Sequence, residues 1–161
     1  VQLQYFVGVK VHRLPEAANK YNWEDAALLP ITKAKLSAGW KTVDTQKDTL
    51  YQEDFKRTAG MLRGAVKCTK AGETVKVKWN GTTIGFSDIP CGSGCKIEVV
   101  IDKSKPVTLE RKQTEKQKKS HIFYLPEQVP GEHTALLTIT DLPAGVEYYL
   151  GQILVVGTVT D

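Results

Sequence analysis

Two cysteines, Cys91 and Cys95, flank a Gly-Ser-Gly tripeptide, and their spacing is the most direct hint of chemistry in the chain. A disulfide between them would close a short ring that the glycines make flexible enough, and it would stiffen the loop. Unbonded thiols are one alternative. A metal site is another, although zinc takes four ligands and only Cys68 and three scattered histidines could complete the set. We predict the disulfide, which implies an oxidising compartment and a secreted, cell-surface or periplasmic protein.

Hydrolytic chemistry would need a nucleophile with a base and an orienting acid beside it. The sequence has neither a Gly-x-Ser-x-Gly elbow nor a Gly-Asp-Ser-Leu block. His12, His121 and His133 each stand in or beside a predicted strand, and His133, in Gly-Glu-His-Thr, is expected to be structural at the start of one. A serine site assembled from distant segments is the alternative. We predict no catalytic residue.

Positive charge is concentrated in one segment of a nearly balanced chain. The 161 residues carry 22 Lys and Arg against 18 Asp and Glu, for a net charge of +4. Seven of the basic residues stand between Lys103 and Lys119, which is typical of a solvated edge strand and also suits an anionic partner such as an acidic polysaccharide. The segment has no aromatic residue on which a base could stack, so nucleic acid is not expected as a partner.

Acidic residues gather in one connection, where Asp44, Asp48, Glu53 and Asp54 offer oxygen ligands. Their spacing does not match a known calcium loop. We therefore predict no cofactor, with structural calcium as the alternative.

The elements that must position these side chains are short strands. Between Val75 and Ile101, apolar residues alternate with polar ones, which is the period of a strand with one wet face. Asn80-Gly81 stands inside this segment and predicts a hairpin, because both central residues of a type I′ turn have positive φ. Asp102-Lys103-Ser104-Lys105 predicts a further turn.

Gly and Pro turns separate at least eight such strands, which predicts an all-β fold, an antiparallel β-sandwich or jelly roll. At most one short helix is expected, near residues 16–29. No apolar run approaches the roughly 20 residues of a membrane span, so no membrane partner is expected. We predict one domain over residues 1–161. Its core is 40–159, and 1–39 is either an added strand and helix or the tail of a preceding domain.

The order of the motifs resembles a known type of domain. The run Trp79-Asn80-Gly81-Thr82-Thr83-Ile84-Gly85-Phe86 leads through a glycine loop to Glu98-Val99-Val100-Ile101-Asp102. Gly131-Glu132-His133-Thr134 follows, and then a last strand around Tyr149-Leu150-Gly151-Gln152-Ile153-Leu154-Val155. Over roughly residues 40–159 this resembles the galactose-binding-like jelly-roll accessory domain of SGNH/GDSL-type carbohydrate esterases and related glycan-active enzymes.

The resemblance implies a non-catalytic domain of a secreted enzyme, which binds polysaccharide or oligosaccharide. An alternative is a module that shapes the active site of an attached catalytic domain. The turn at Asp102-Lys103-Ser104-Lys105 and the loop between Cys91 and Cys95 depart from the pattern. Both are loops, where differences in binding usually lie.

Aromatic side chains are the first candidates for contacts to a sugar, because an aromatic plane accepts the apolar face of a pyranose ring. Trp23 and Tyr21 stand among polar neighbours, and Trp40 stands at the entry to the sandwich. Trp79 alternates with Val75 and Val77 and is therefore expected in the core.

Polar candidates come from side chains that suit hydroxyls and carboxylates. Arg57, Arg63 and Arg111 offer planar forks for bidentate contacts. Ser87 and Asp88 open the loop that carries Cys91 and are expected to reach a ligand at that end of the sandwich. Cys68 is expected in the core.

Overall fold

The computed structural model describes residues 26–50, 62–113 and 119–161, and these ranges are mostly β-structure. Their strands pair antiparallel throughout, which confirms the predicted all-β fold class. No helix in these ranges is long and apolar enough to cross a membrane. The strands are β1 (Ala26–Pro30), β2 (Lys35–Leu36), β3 (Lys41–Thr42), β4 (Val66–Cys68), β5 (Thr74–Ile89), β6 (Cys95–Ile101), β7 (Val107–Arg111), β8 (His121–Tyr124), β9 (Gly131–Asp141) and β10 (Tyr148–Thr160).

The strands form two layers that share the long strands β5 and β10. In the first layer the order is β10–β5–β9–β6–β7, and β2 lies beside the start of β5. In the second layer the order is β8–β5–β10, and β1 and β4 lie along the other edge of β10. β3 pairs with β4. Residues 74–81 of β5 belong to the first layer and residues 83–89 to the second.

Both shared strands pass between the layers at a pair of glycines, Gly81 and Gly157. The pairing of β5 with β10 shifts register here, between Val156 and Gly157. A Cβ on Gly81 would overlap the carbonyl oxygen of Val156, and a Cβ on Gly157 would overlap that of Asn80. The predicted hairpin at Asn80-Gly81 is therefore wrong. β5 continues through it, because the glycine serves the close approach of two backbones and not a chain reversal.

The core lies between the layers and takes every second residue of the long strands. Trp79 and Phe86 of β5 are fully buried, which confirms the core position predicted for Trp79. Cys68 is also buried, as predicted, and burial raises the pKa of its thiol to about 12. That thiol therefore stays protonated and unreactive.

A second, smaller apolar cluster covers the outer face of β10 at its start. Its members are Val43, Leu62, Ala65, Ile89 and Tyr149. The adjacent tyrosines of β10 consequently point to different clusters: Tyr148 faces the main core, and Tyr149 faces this one. Both are buried, because apolar residues cover both sides of the strand at this point.

The helix predicted near residues 16–29 is wrong where the structure describes this segment, because β1 lies there. Residues 26–29 of the segment 16–29 belong to a strand that pairs along β10, from Ala26 opposite Val156 to Pro30 opposite Gln152. The rest of the segment lies outside the described residues. Ala27 and Leu29 pack against the core, so tertiary contact outweighs the helical preference of this alanine- and leucine-rich stretch. The division of the chain at residue 39 stays a prediction.

Candidate ligand-binding cleft at one end of the sandwich

A cleft with a volume of about 470 Å³ opens at the end of the sandwich where β5 leads into β6. Three connections surround it: the segment after β3, the loop between β5 and β6, and the loop between β9 and β10. Leu50, Ile89, Pro90 and Val146 contribute apolar wall. This is the end at which the sequence predicts a ligand.

Four polar side chains, Asp48, Lys67, Glu147 and Tyr149, form a hydrogen-bonded group at the cleft, which we call the Glu147 cluster. Lys67 Nζ lies 2.7 Å from Asp48 Oδ2 and 2.9 Å from Glu147 Oε1. The hydroxyl of Tyr149 lies 2.7 Å from Glu147 Oε2 and 3.1 Å from Asp48 Oδ2, and it donates its one proton to one of them. The pairing of β4 with β10 assembles the cluster, because it places Tyr149 opposite Lys67.

The formal charges of the Glu147 cluster are two negative and one positive. Burial by itself lowers the pKa of Lys67, but hydrogen bonds to Asp48 and Glu147 outweigh it and raise that pKa, so the ammonium keeps its charge. Burial and the two carboxylates raise the pKa of Tyr149, whose hydroxyl stays protonated. The side chain of Asp48 is 1% exposed and that of Glu147 is 36% exposed, so Glu147 is the acid that a ligand can reach.

These groups suit a neutral ligand rich in hydroxyls. Carboxylate oxygens accept hydrogen bonds from hydroxyls, and the apolar walls contact the CH groups of the same ligand. The described lining includes Cys91 and Ser93 but no histidine. The prediction that the chain has no catalytic residue stays a prediction.

Asp88 and Arg111, both predicted to contact the ligand, instead bind each other inside the sandwich. Arg111 Nε donates to Asp88 Oδ2 at 2.7 Å, and Arg111 Nη2 donates to Oδ1 at 2.8 Å. Tyr148 donates its hydroxyl to the same carboxylate at 2.7 Å, and the guanidinium stacks on Phe123 with 4.7 Å between carbon and ring centroid. Asp88 is fully buried. The pair is buried and does not line the cleft, and a ligand role for either residue stays a prediction.

The other predicted ligand residues do not come together at the cleft either. Trp40 is 8% exposed, and its indole N–H donates to the carbonyl oxygen of Thr74, so it packs in the core without an open face. Ser87 is buried on the outer face of the second layer. Arg63 is exposed but does not line the cleft. The remaining three, Tyr21, Trp23 and Arg57, lie outside the described residues.

The thiols of Cys91 and Cys95 lie side by side at the rim of the cleft. Their sulfur atoms are 2.7 Å apart, and Cys91 is part of the lining. The hydrogen bond from Cys91 lowers the pKa of Cys95. The two sulfurs are thus neighbours, as a disulfide requires, and the bond itself stays a prediction.

The two described acids of the acidic connection, Asp44 and Asp48, have different partners. Asp48 belongs to the Glu147 cluster, and Asp44 accepts a hydrogen bond from the backbone of Gln46 and pairs with Lys47. Glu53 and Asp54 lie outside the described residues. Within the described ranges, no group of three or more His, Cys, Asp or Glu side chains is placed to hold a metal. The expectation of no cofactor, with structural calcium as the alternative, stays a prediction.

At the opposite end of the sandwich, His133 joins the turn after β6 to the segment before β9. Its Nδ1 lies 2.7 Å from Asp102 Oδ2, and its Nε2 lies 2.7 Å from the carbonyl oxygen of Val129. Both partners are acceptors, so both ring nitrogens donate and the imidazole is cationic. The ring also packs on Trp79, with 5.1 Å between centroids. Asp102 occupies the predicted turn with φ of 52°.

We expect the free energy of unfolding to fall as the pH rises above neutrality. The hydrogen bond to Asp102 raises the pKa of His133, so the folded chain keeps a proton that the unfolded chain releases near pH 6.5. This contribution is complete below about pH 6.5 and is lost as the pH rises through the folded-state pKa. The same bond lowers the pKa of Asp102, whose contribution is present above about pH 4 and is lost in acid.

Urea unfolding of the wild type and of His133→Gln between about pH 5.5 and 9 measures this dependence. The difference in unfolding free energy between the two proteins should shrink as the pH rises. A difference that is the same at every pH would contradict the cationic imidazole.

Sequence reasoning missed most of the Glu147 cluster. The sequence indicates Asp48 only as a calcium ligand, and Tyr149 only as a residue of the last predicted strand. Lys67 and Glu147 stand in strand-like and turn-like segments with nothing that marks them. The one local signal is Gly145-Val146-Glu147, a turn followed by two tyrosines, which places an acid beside an aromatic residue at a loop end.

The chain is similar to known proteins in its fold. No family model matches the sequence, and no curated protein matches it significantly. The fold is similar to a family two carbohydrate esterase from Cellvibrio japonicus, with a TM-score of 0.58, 14% identity, and coverage of 83% of this chain and 34% of that one. It is also similar to a two-domain esterase active on acetylated mannans, co-crystallised with mannopentaose, with a TM-score of 0.61, 15% identity, and coverage of 81% and 36%.

A carbohydrate-binding module, CBM36 in complex with calcium and xylotriose, is similar over almost its whole length. The TM-score is 0.50 at 11% identity, and the match covers 83% of this chain and 99% of the module. The chain has the fold of these domains. The predicted resemblance to jelly-roll accessory domains is thereby confirmed for the fold. The chain spans about a third of the two esterases.

Proposed function

We propose that the chain is a non-catalytic carbohydrate-binding domain and that the cleft beside the Glu147 cluster binds a neutral oligosaccharide. The observation that carries the proposal is a reachable carboxylate, Glu147, beside Tyr149 in an apolar-walled cleft. The fold, shared with a module complexed with xylotriose and with an esterase complexed with mannopentaose, supports it.

The charge of the cluster favours a neutral sugar in this cleft. Two carboxylates against one ammonium leave a negative excess, which repels the carboxylate of a uronic acid. Manno- and xylo-oligosaccharides, which are uncharged and bear many hydroxyls, are therefore the first ligands to test.

We further propose that the domain belongs to a longer, exported glycan-active enzyme with an attached esterase domain. Support comes from the two esterases, in which the matching part is about a third of the chain. The neighbouring sulfurs of Cys91 and Cys95 agree with an oxidising compartment.

A structural role against such an attached domain is the second candidate function. The outer face of the second layer favours it, because Leu28, Ile122 and Tyr124 are 40%, 46% and 59% exposed there. Apolar patches of this kind mark surfaces that pack against other proteins or domains. In that case the domain by itself binds no oligosaccharide.

Replacing Glu147 with glutamine should weaken the binding of mannopentaose or xylotriose about tenfold, because a charged hydrogen-bond acceptor is lost from the reachable side of the cleft. Isothermal titration calorimetry on the 161-residue chain measures the change. Lys67 and Tyr149 keep Asp48 as a partner, so the fold should persist.

Glu110→Gln is the matched control, because Glu110 is an exposed glutamate of β7 that does not line the cleft. Equal affinities of the two variants would move the binding site away from the cleft. If the wild type binds none of the oligosaccharides, the binding function is wrong and the structural role is favoured.

A further inference from the structure

Three exposed lysines lie together on the outer face of the first layer. β2 pairs with β5 so that Lys35 is directly opposite Lys76. Lys78 follows on the same face, because the residues between and beside these lysines, Val75, Val77 and Trp79, point into the core. We call Lys35, Lys76 and Lys78 the lysine face.

Two of the three lysines have no acidic partner among the described residues, and the third, Lys78, lies in one pocket with Asp102, Glu132 and Asp161. Neither Lys35 nor Lys76 makes an ion pair with a described residue, and Lys78 Nζ donates to the backbone oxygen of Asp161 at 2.9 Å. Like charges directly opposite each other in a sheet are destabilising. Elsewhere on this layer opposite charges face each other across neighbouring strands, since Lys96 is opposite Glu110.

Protection against aggregation explains only part of this arrangement. A lysine on a short edge strand blocks pairing with another chain, and Lys35 on the two-residue β2 fits that role. Lys76 and Lys78 do not, because they lie on β5, an interior strand of the layer with β9 paired beside both of them.

Apolar and hydroxyl side chains lie beside the lysines along the paired strands, and acidic side chains lie beside Lys78 at the end of the sheet. Lys76 is opposite Leu136 of β9, which is 39% exposed, and Leu136 is opposite Val100 of β6. One row across the sheet therefore reads lysine, lysine, leucine, valine. In the next row, Lys78 lies between Thr134 and Thr160.

We propose that the lysine face is a second binding surface, which takes an anionic polysaccharide. Its carboxylates or sulfates pair with Lys35, Lys76 and Lys78, and the CH faces of its sugar rings lie on Leu136 and Val100. The choice of a glycan as the anion rests on the proposed function. A nucleic acid fits less well, because the described residues of this face include no aromatic side chain on which a base could stack.

The lysine face and the cleft suit ligands of different charge. The cleft lies among loops at one end of the sandwich, and the Glu147 cluster beside it has an excess of negative charge. The domain thus separates two tasks: a neutral sugar in the cleft and an anionic chain on the sheet. It also differs from the Lys103–Lys119 segment, which the sequence indicated as the contact for an acidic polysaccharide. The lysine face lies on β2 and β5, elsewhere in the chain.

Affinity electrophoresis of the 161-residue chain tests the proposal, with polygalacturonate, dextran sulfate or a neutral galactomannan in the gel. The wild type should be retarded by an anionic polymer, less so as salt is added. The double variant Lys76→Gln/Lys78→Gln should bind that polymer about fivefold to tenfold more weakly. The polymer that retards the wild type more strongly tells whether carboxylate or sulfate is preferred.

Lys96→Gln/Lys112→Gln is the matched control, since it removes the same charge from two exposed positions outside the lysine face, one on β6 and one directly after β7. It should bind like the wild type. Equal weakening of both double variants would reduce the effect to net charge and overturn the proposal, as would tighter binding of a single-stranded oligonucleotide than of either anionic polymer.

The two proposals fail separately. If a neutral glycan binds through Glu147 and neither anionic polymer retards the chain, the lysine face is wrong and the cleft stands. If an anionic polymer binds through Lys76 and Lys78 and no neutral glycan binds, the cleft is wrong and the lysine face stands.

Discussion

Arg111→Ala should lower the free energy of unfolding by about 3–5 kcal/mol, because it leaves the carboxylate of Asp88 buried without a countercharge. Asp88 is fully buried, and the side chain of Arg111 is only 15% exposed, so water does not replace the lost ion pair. Burial by itself lowers the pKa of Arg111, but the hydrogen bonds to Asp88 outweigh it and raise that pKa. The guanidinium of Arg111 therefore keeps its charge in the folded state.

Urea unfolding of three variants separates a structural pair from a ligand contact. Arg63→Ala, on an exposed arginine, should change stability by no more than about 0.5 kcal/mol. The apolar double substitution Asp88→Leu/Arg111→Met should lower the free energy of unfolding by less than Arg111→Ala does, since it leaves no buried charge without a partner. A stable Arg111→Ala protein that has lost its affinity for glycans would instead restore the ligand role that the sequence indicates.

Gly157→Ala should lower the free energy of unfolding by about 3 kcal/mol or more, because two penalties combine at the point where β5 and β10 pass between the layers. The new Cβ would overlap the carbonyl oxygen of Asn80, and the backbone there has φ of 124°, which disfavours any side chain. The clash is with backbone, so neither strand can relieve it without disturbing its pairing.

Gly64→Ala is the matched control for this substitution. Gly64 also has positive φ, at 78°, but a Cβ there meets nothing within 4 Å. Only the conformational penalty remains. Urea unfolding should therefore show a loss of about 1 kcal/mol in the free energy of unfolding. Equal losses at the two positions would show that the close approach of the strands contributes nothing.

The strands themselves could be predicted because their pattern is local. Val75, Val77 and Trp79 alternate with lysines, and this alternation reports directly which side chains enter a core. The same logic predicts β6 in the chain and Trp79 in the interior. The turn after β6 is equally local, since Asp102 tolerates positive φ.

The structure at Asn80-Gly81 could not be predicted from the local sequence. A glycine is required both in a tight turn and where a neighbouring backbone comes close, and the dipeptide looks the same in either setting. The choice depends on Val156 and Gly157, about 75 residues later in the chain. The helix predicted over the alanines and leucines at 26–29 is wrong for the same reason, because these residues pair with the edge of β10 as a strand.

The sequence by itself determined the all-β fold, the alternating core residues and the absence of familiar hydrolase motifs, because each of these depends on neighbours in the chain. Tertiary structure alone decided which polar residues meet. Asp88 and Arg111 have the chemistry of ligand contacts, yet burial made them partners of each other. Asp48, Lys67 and Glu147 are far apart in sequence. The pairing of β4 with β10 brings Lys67 to Glu147, and the segment after β3 adds Asp48. Charge interactions act through space, so they follow the fold and leave no periodic trace in the chain.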